Sequence, residues 1–298
     1  MLFRSPVRVV VDRAGILAVV RVEAAIERRV LQALLDDAGV HTIHERVMQQ
    51  INDKYGISPQ DYADWNEDEK VKFLIEKDLK INEDDFEDPL VKDTFKTIRA
   101  IQEIQKLNGE RACHRYIISN STSIIQVLEV LAMFRFCGYS PEEVKIDVVP
   151  LFETIEGLDQ SESIMTKLYA LPYYQKHLAL RNKQQTIMLG FSDGTKDGGY
   201  VKANWEIYQA KEKLTAVSNA NEIGVIFFDG RGGPPARGGG KTHQFYASQG
   251  STIANNAIQV TIQGQTITSM YGSPSQAMYN FEQLISAGII NDVLQDEK

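Results

Sequence analysis

The pattern of hydrophobic and polar residues changes along the chain. From about residue 111 onward, short and continuously apolar runs rich in Val, Ile and Phe alternate with longer stretches whose apolar residues recur every three or four positions. The first pattern is typical of buried strands and the second of amphipathic helices. Strands joined through helices run parallel by right-handed crossovers, so this part of the chain predicts a β/α architecture. The predicted strands are residues 115–119, 145–152, 185–191 and 223–228, and the predicted helices are residues 124–136, 160–181 and 199–219.

The pattern before this region is helical. Residues 41–109 form an acidic helical stretch, in which Asn66 followed by Glu69 resembles the capping box that opens a helix. Residues 20–37 also carry a helical period, and lysine replaces arginine as the dominant basic residue beyond Gly39. These changes predict three regions: a helical segment at 1–38, a helical region at 39–110 and a β/α region at 111–298.

The end of the β/α region carries two further predictions. The stretch NAIQVTIQGQTITSMYG, residues 256–272, indicates two strands around Gly264, and a helix is predicted at 281–290. Trp205 and Tyr208 lie three positions apart, which predicts a helix face that packs on the sheet. The number of strands fits either about half of an eight-unit barrel or one open sheet, and periodicity does not distinguish the two.

Composition and charge narrow the function classes. The chain has 298 residues and a formal net charge of −8, which argues against nucleic acid or an anionic membrane as a partner, because such partners call for a basic face. Its two cysteines, Cys113 and Cys137, form no CxxC motif, and the sequence contains no run of about 18 apolar residues that would cross a membrane. We therefore expect a cytoplasmic protein without nucleic-acid or membrane partners.

Polar residues cluster where the predicted strands end. Ser119 and Asn120 end the first strand, Glu153 and Thr154 follow the second, and the sequences SDGTKDGG and DGRGG follow the third and fourth. The carboxyl ends of parallel strands meet at one edge of a sheet, and active sites of β/α folds are built there. We therefore expect these clusters to lie close together.

Two carboxylates in these clusters are candidate metal ligands. Glu153 has three possible roles, as a metal ligand, a general base or the ion-pair partner of an arginine. Asp193, in the next cluster, could join Glu153 in binding Mg²⁺ or Mn²⁺, because these ions take few protein carboxylates and leave positions for substrate oxygens. Asp197 is predicted to be the N-cap of the helix that begins near Gly198.

The stretch FFDGRGGPPARGGGKTH, residues 227–243, contains six glycines, two arginines and a lysine. A phosphate-binding loop of the form GxxxxGK[ST] requires glycine at position 235, where this chain has Pro235, and the dinucleotide motif GxGxxG does not fit either. The prolines and arginines disfavour a flexible linker. The remaining interpretation is a loop that binds an anion through the guanidinium groups of Arg231 and Arg237.

Three motifs carry a family resemblance. VVPLFETIEGL, MLGFSDGTKDGGY and FFDGRGGPPARGGG resemble, in this order and each after a strand, motifs of phosphoenolpyruvate carboxylase. The resemblance continues through RYIISNSTSIIQVLEV and TIQGQTITSMYG, so that it covers residues 41–298. The family's chain is much longer, and this sequence resembles its central portion.

The resemblance implies a fold, a reaction and a set of site residues. The fold is part of a TIM-type β/α barrel with many extra helices, here incomplete, and the reaction converts phosphoenolpyruvate and bicarbonate to oxaloacetate and phosphate through carboxyphosphate and the enolate of pyruvate. By resemblance, Glu153 and Asp193 bind the magnesium or manganese ion, Lys196 is the active-site lysine, Arg231 contacts the substrate phosphate and Arg237 contacts the bicarbonate-derived group. The full-length parent is expected to be a tetramer, and the reaction to be an anaplerotic carbon fixation that feeds the tricarboxylic acid cycle.

The sequence also departs from the family pattern. Asp229 stands where many members have a histidine, which is expected to lower the positive potential beside Arg231. The AHPT motif with the family's N-terminal catalytic histidine does not occur, and LLDDAG, residues 34–39, stands where an arginine is expected. We therefore expect a fragment that also lacks the C-terminal region of the enzyme. The alternatives are a catalytically silent anion-binding fragment that assembles with other pieces and, less well supported, a nucleotide-binding P-loop protein.

Overall fold

The structure is a computed structural model that describes residues 7–10, 21–22, 40–231, 239–261 and 264–293. The strands in the described residues are β1 (Val7–Val10), β2 (Arg21–Val22), β3 (Arg115–Ile118), β4 (Asp147–Phe152), β5 (Gln184–Gly190), β6 (Gly224–Gly230) and β7 (Ala257–Val260). The helices there are α1 (Val40–Tyr55), α2 (Glu67–Glu76), α3 (Pro89–Asn108), α4 (Ile124–Phe136), α5 (Ile155–Ala170), α6 (Pro172–Leu180), α7 (Ser192–Gly198), α8 (Tyr200–Ala220), α9 (Thr242–Ala247), α10 (Gly264–Tyr271) and α11 (Pro274–Val293).

The chain divides into two compact units. The first, called here the sheet unit, comprises residues 1–25, 151–163 and 184–298, and the second, the helical unit, comprises residues 26–150 and 164–183. Strand β4 contributes its first four residues to the helical unit and its last two to the sheet unit. The division that the sequence predicts, with boundaries at residues 38 and 110, stays a prediction.

The sheet unit is built on parallel strands. Strand β5 pairs in parallel with the end of β4 on one side and with β6 on the other, and β6 pairs in parallel with β7. Strand β1 adds to β7 in antiparallel orientation, and β2 adds to β1. Strands β5 and β6 are buried on both faces along most of their length, as parallel strands covered by helices are.

The helical unit pairs β3 in parallel with the first residues of β4. Helix α4 follows β3 and is buried along nearly its whole length, because its sequence is apolar on every face. The prediction of alternating parallel strands and helices is confirmed as a mixed α/β fold. Among the described strands no pairing closes the parallel set into a barrel.

The capping box predicted at the start of α2 is confirmed. The side chain of Asn66 accepts a hydrogen bond from the backbone N–H of Glu69 at 2.9 Å, and the carboxylate of Glu69 accepts one from the backbone N–H of Asn66 at 3.0 Å. Together the two bonds satisfy donors that the first helical turn leaves unpaired.

Two predicted elements are wrong. The second strand expected within residues 256–272 is the helix α10, since the alternating Thr and Ile residues there resemble a strand although they form helical turns. The helix predicted at 160–181 is two helices, α5 and α6. The break falls at Leu171 because Pro172 has no N–H to continue the helix and its ring excludes a helical conformation for the preceding residue.

The aromatic pair of helix α8 does not pack on the sheet. Trp205 is 57% exposed, and its ring stacks on Tyr208 with an interplanar angle of 9° and a centroid separation of 6.0 Å. The buried face of the helix instead carries mostly small and aliphatic residues, such as Ala203, Ile207 and Leu214. No helix in the described part of the chain combines the length and the apolar composition that a bilayer crossing requires.

Candidate active site

Three neighbouring strands of the sheet unit end at the same level. In the register of β4, β5 and β6, Phe152 pairs with Leu189 and Gly190 pairs with Gly230. Glu153, the residue after Phe152, therefore lies beside Gly190. A Cβ atom added to Gly190 would lie 2.5 Å from the Cβ of Glu153, closer than real Cβ atoms approach one another. The glycine is thus required by the close approach of these two strand ends.

Asp193 lies in the first turn of helix α7, although the sequence predicts a loop there. The next residue, Gly194, is buried against the backbone of Glu153. A Cβ added to Gly194 would lie 3.4 Å from the carbonyl oxygen of Glu153. The segments that carry the two candidate metal ligands are therefore in contact. Lys196, three positions further along α7, donates a hydrogen bond to Oδ1 of Asp193 at 2.6 Å, and its side chain is 67% exposed.

Asp197 is not the N-cap of the following helix, so that prediction is wrong. Helix α7 ends before Gly199, whose φ of +82° breaks the helical backbone, and α8 begins at Tyr200 without a side-chain cap. The carboxylate of Asp197 instead accepts a hydrogen bond from the backbone N–H of Ile155 at 3.1 Å. This bond satisfies an N–H group in the first turn of α5 and ties the residues after Glu153 to helix α7.

Arg231 follows β6 directly and is buried, with 7% of its surface exposed. Its guanidinium carbon lies 4.1 Å from the ring centroid of Phe245 and 6.0 Å from that of Phe191, and one of its nitrogens donates to the carbonyl of Gly239 at 3.4 Å. Burial lowers the pKa of the guanidinium, but an arginine keeps its proton in proteins. Phe191, one of the two rings near this fixed positive charge, lies two residues before Asp193 in sequence.

An open cleft of about 620 Å³ lies beside Arg231. Lys241 lines the same cleft, so that basic side chains from both ends of the glycine-rich loop reach it. Tyr200 and Trp205 supply aromatic surface on another side. The cleft can receive an anionic ligand. Arg237, the second predicted arginine, lies outside the described residues.

A buried charge cluster that was not predicted from the sequence lies near the end of β6. Asp229 has no exposed surface, and the ammonium of Lys211 lies 2.7 Å from its Oδ1 and 3.0 Å from its Oδ2. The hydroxyl of Tyr246 donates to Oδ2 of Asp229 at 2.8 Å. The ammonium of Lys211 offsets part of the negative charge of Asp229, and the effect of Asp229 on the potential beside Arg231 stays a prediction. One signal was available in the sequence, since Lys211 falls on the buried face of α8 next to Ala210.

The described residues contain no group of three or more His, Cys, Asp or Glu side chains that could together hold a metal ion. Glu153 and Asp193, the two candidate metal ligands, stay a prediction as such. The structure brings their backbone segments together and places Arg231 directly after the neighbouring strand β6.

The chain matches known proteins over most of its length. The family model of phosphoenolpyruvate carboxylase matches residues 34–298. The phosphoenolpyruvate carboxylase of Prochlorococcus marinus (strain AS9601) is 35% identical over 275 residues, and that of Nitrosomonas europaea is 34% identical over 261 residues. These alignments cover 89% and 85% of this chain and 28% of each relative. The chain thus spans little more than a quarter of the length of the curated relatives it matches.

Proposed function

Because the chain belongs to the phosphoenolpyruvate carboxylase family, we propose that it carries the cation-binding and phosphate-binding part of a site that converts phosphoenolpyruvate and bicarbonate to oxaloacetate and phosphate. One observation supports this most strongly: the ends of β4, β5 and β6 are in register, so that Glu153, the Asp193 segment and Arg231 share one edge of the sheet unit. In this proposal the parallel strands belong to a TIM-type barrel, whose active site lies at the carboxyl ends of its strands.

The residues at this edge fit a divalent cation such as Mg²⁺ or Mn²⁺. Glu153 and Asp193 supply carboxylate oxygens, the donors that these ions prefer, and two protein ligands leave positions for substrate oxygens. Gly190 adds no side chain between the strand ends, and Glu153 occupies the space that a Cβ there would need. A bound cation would stabilise negative charge on the phosphate and on the enolate oxygen.

The protein's own side chains supply the remaining charges. Arg231 binds the phosphate, and its stacking on Phe245 means that little side-chain entropy is lost when it does so. The ammonium of Lys196 is exposed and can leave the carboxylate of Asp193 to contact a substrate oxygen, because the carboxylate and the substrate oxygen are both anionic. Arg237 contacts the bicarbonate-derived group. Fixed positive groups of this kind stabilise charge that develops as bicarbonate attacks the phosphorus and the enolate is released.

A turnover assay tests this proposal. Oxaloacetate formation by this chain, coupled to NADH oxidation through malate dehydrogenase, should require phosphoenolpyruvate, bicarbonate and Mg²⁺ or Mn²⁺ together. The double variant Arg231→Ala, Arg237→Ala should lose about 10²-fold or more in rate, because charge stabilisation in the transition state is lost. The variant Arg111→Ala, which changes an exposed arginine elsewhere, is the control and should retain the full rate. Turnover equal in the double variant and the unchanged chain would contradict the assignment of the arginines.

A second candidate function is a silent anion-binding fragment, which is favoured by the small share of the relatives' length that the chain spans. Calorimetry separates the two functions. Micromolar binding of phosphoenolpyruvate in the presence of Mn²⁺ without turnover would support the silent fragment. Neither binding nor turnover would contradict both.

A further inference from the structure

We propose that Lys211, Asp229 and Tyr246 are positioning residues that hold Arg231 in the orientation needed to bind phosphate. The inference rests on the proposed phosphate-binding role of Arg231 and adds to it the device that fixes the guanidinium. None of the three side chains reaches the cleft surface, since all are 5% exposed or less. They act on the ligand only through Arg231 and its ring partner.

The cluster joins strand β6, which precedes the loop that contains Arg231 and Arg237, to helix α9, which follows it. Asp229 lies two residues before Arg231, at the end of β6, and Tyr246 lies in α9, which follows the loop. Their 2.8 Å hydrogen bond therefore ties the strand before the loop to the helix after it. The backbone carbonyl of Asp229 also accepts a hydrogen bond from the N–H of Thr261, next to β7, at 3.0 Å. The starting point of the loop is thus fixed on two sides.

The contact with Arg231 passes through Phe245. This residue precedes Tyr246 in α9, and its ring packs edge-on against the ring of Tyr246 with centroids 5.1 Å apart. The guanidinium of Arg231 lies 4.1 Å from the centroid of Phe245, and the ammonium of Lys211 lies 5.0 Å from it. The position of Tyr246 therefore sets the position of the ring on which Arg231 stacks.

The charge of Lys211 is essential to this arrangement. A buried carboxylate without a counter-ion attracts the nearest cation strongly, because little solvent screens it. Asp229 without Lys211 would draw the guanidinium of Arg231 inward, away from the cleft. With the ammonium at 2.7 Å, the carboxylate is neutralised and can act as an acceptor for Tyr246 without competing for the arginine.

Binding of inorganic phosphate, measured by calorimetry, tests the inference in the whole chain. Tyr246→Phe removes one hydroxyl and keeps the ring, and it should weaken phosphate binding about tenfold, the effect of losing one hydrogen bond to a charged group. Lys211→Met should weaken binding further, and adding Asp229→Asn to it should restore part of the affinity, because the uncompensated carboxylate is then gone. Lys213→Met, on the same helix at an exposed ion pair with Asp159, is the matched control and should bind phosphate as the unchanged chain does.

A ligand-free measurement keeps this inference separate from the proposed function. The Nε–H resonance of Arg231 can be assigned by its absence in Arg231→Lys. In the unchanged chain the Phe245 ring should shift this resonance upfield. In Tyr246→Phe and in Lys211→Met most of that shift should be lost. The unchanged chain could show the upfield shift and still bind no phosphate, which would contradict the proposed function. If the two variants then lose the shift, the positioning role is supported. An unchanged resonance and unchanged phosphate affinity in folded Tyr246→Phe would overturn the inference. A lower melting temperature alone, with resonance and affinity intact, would show a merely structural role and would overturn it as well.

Discussion

Replacing Gly190 with alanine should weaken Mn²⁺ binding at the proposed cation site and destabilise the sheet unit. The new Cβ would lie 2.5 Å from the Cβ and 3.0 Å from the Cα of Glu153, so a backbone segment must move and not only a flexible side chain. Crowding of this kind costs about 1–3 kcal/mol of the free energy of unfolding. Displacing one of the two carboxylates should weaken Mn²⁺ binding by about 10²-fold, as happens when a metal site loses its support.

Electron paramagnetic resonance of free Mn²⁺ and urea unfolding measure the two effects. Gly194→Ala is the matched control, because its Cβ would meet the carbonyl oxygen of Glu153 at 3.4 Å and the Cβ of Ala203 at 3.5 Å, which is ordinary contact. It should bind Mn²⁺ as the unchanged chain does. Wild-type Mn²⁺ affinity in Gly190→Ala would contradict the proposed role of Glu153.

The helical unit should lose stability as the pH rises from about 4.5 to about 8, because of one buried carboxyl group. Burial in α4 raises the pKa of Glu129 to about 8, and the charge of Glu45 raises it further, against the opposing hydrogen bond from the Tyr62 hydroxyl at 2.9 Å. Between the unfolded and the folded pKa values the folded state binds more protons than the unfolded state does. The free energy of unfolding therefore falls with rising pH, by up to about 1.4 kcal/mol per pH unit and about 3–5 kcal/mol in total.

The variant Glu129→Gln isolates this effect. Glutamine keeps an acceptor for Tyr62 but does not ionise, so the variant should be more stable than the unchanged chain at pH 9 and should show a smaller decline between pH 5.5 and pH 9. Urea unfolding at pH 5.5, 7 and 9 measures it, and Glu103→Gln, at an exposed position of α3, is the control. His177, whose pKa burial lowers to about 4, is present in every variant and cancels in the comparison. Parallel curves for Glu129→Gln and the unchanged chain would contradict the prediction.

The parts of the site that follow from strand order could be predicted from the sequence. Apolar runs that alternate with helical stretches predict β4, β5 and β6 as consecutive parallel strands, and the structure pairs them so. The carboxyl ends of such strands meet at one edge of the sheet. The sequence alone therefore predicts that Glu153 and Asp193 lie in neighbouring segments. Their functional roles stay predictions.

Local helix formation and long-range pairing could not be predicted in the same way. Helix α7 contains glycines and aspartates typical of a loop, and it is helical because Gly194 is buried against Glu153 and Asp197 bonds to Ile155. The Lys211–Asp229 pair requires knowledge of which face of α8 covers β6, which periodicity gives only approximately. Tertiary contacts override local preference in both cases.

Gly190 and Gly230 lie opposite each other in β5 and β6, and a Cβ at Gly230 would lie 2.9 Å from the carbonyl oxygen of Leu189. At these two positions the carboxyl ends of β5 and β6 present only main-chain atoms. Alanine scanning maps a site by deleting side chains. At Gly190 and Gly230 it would instead add a methyl group at each position. The two positions would therefore score as severe losses although neither glycine has a side chain that could touch a ligand.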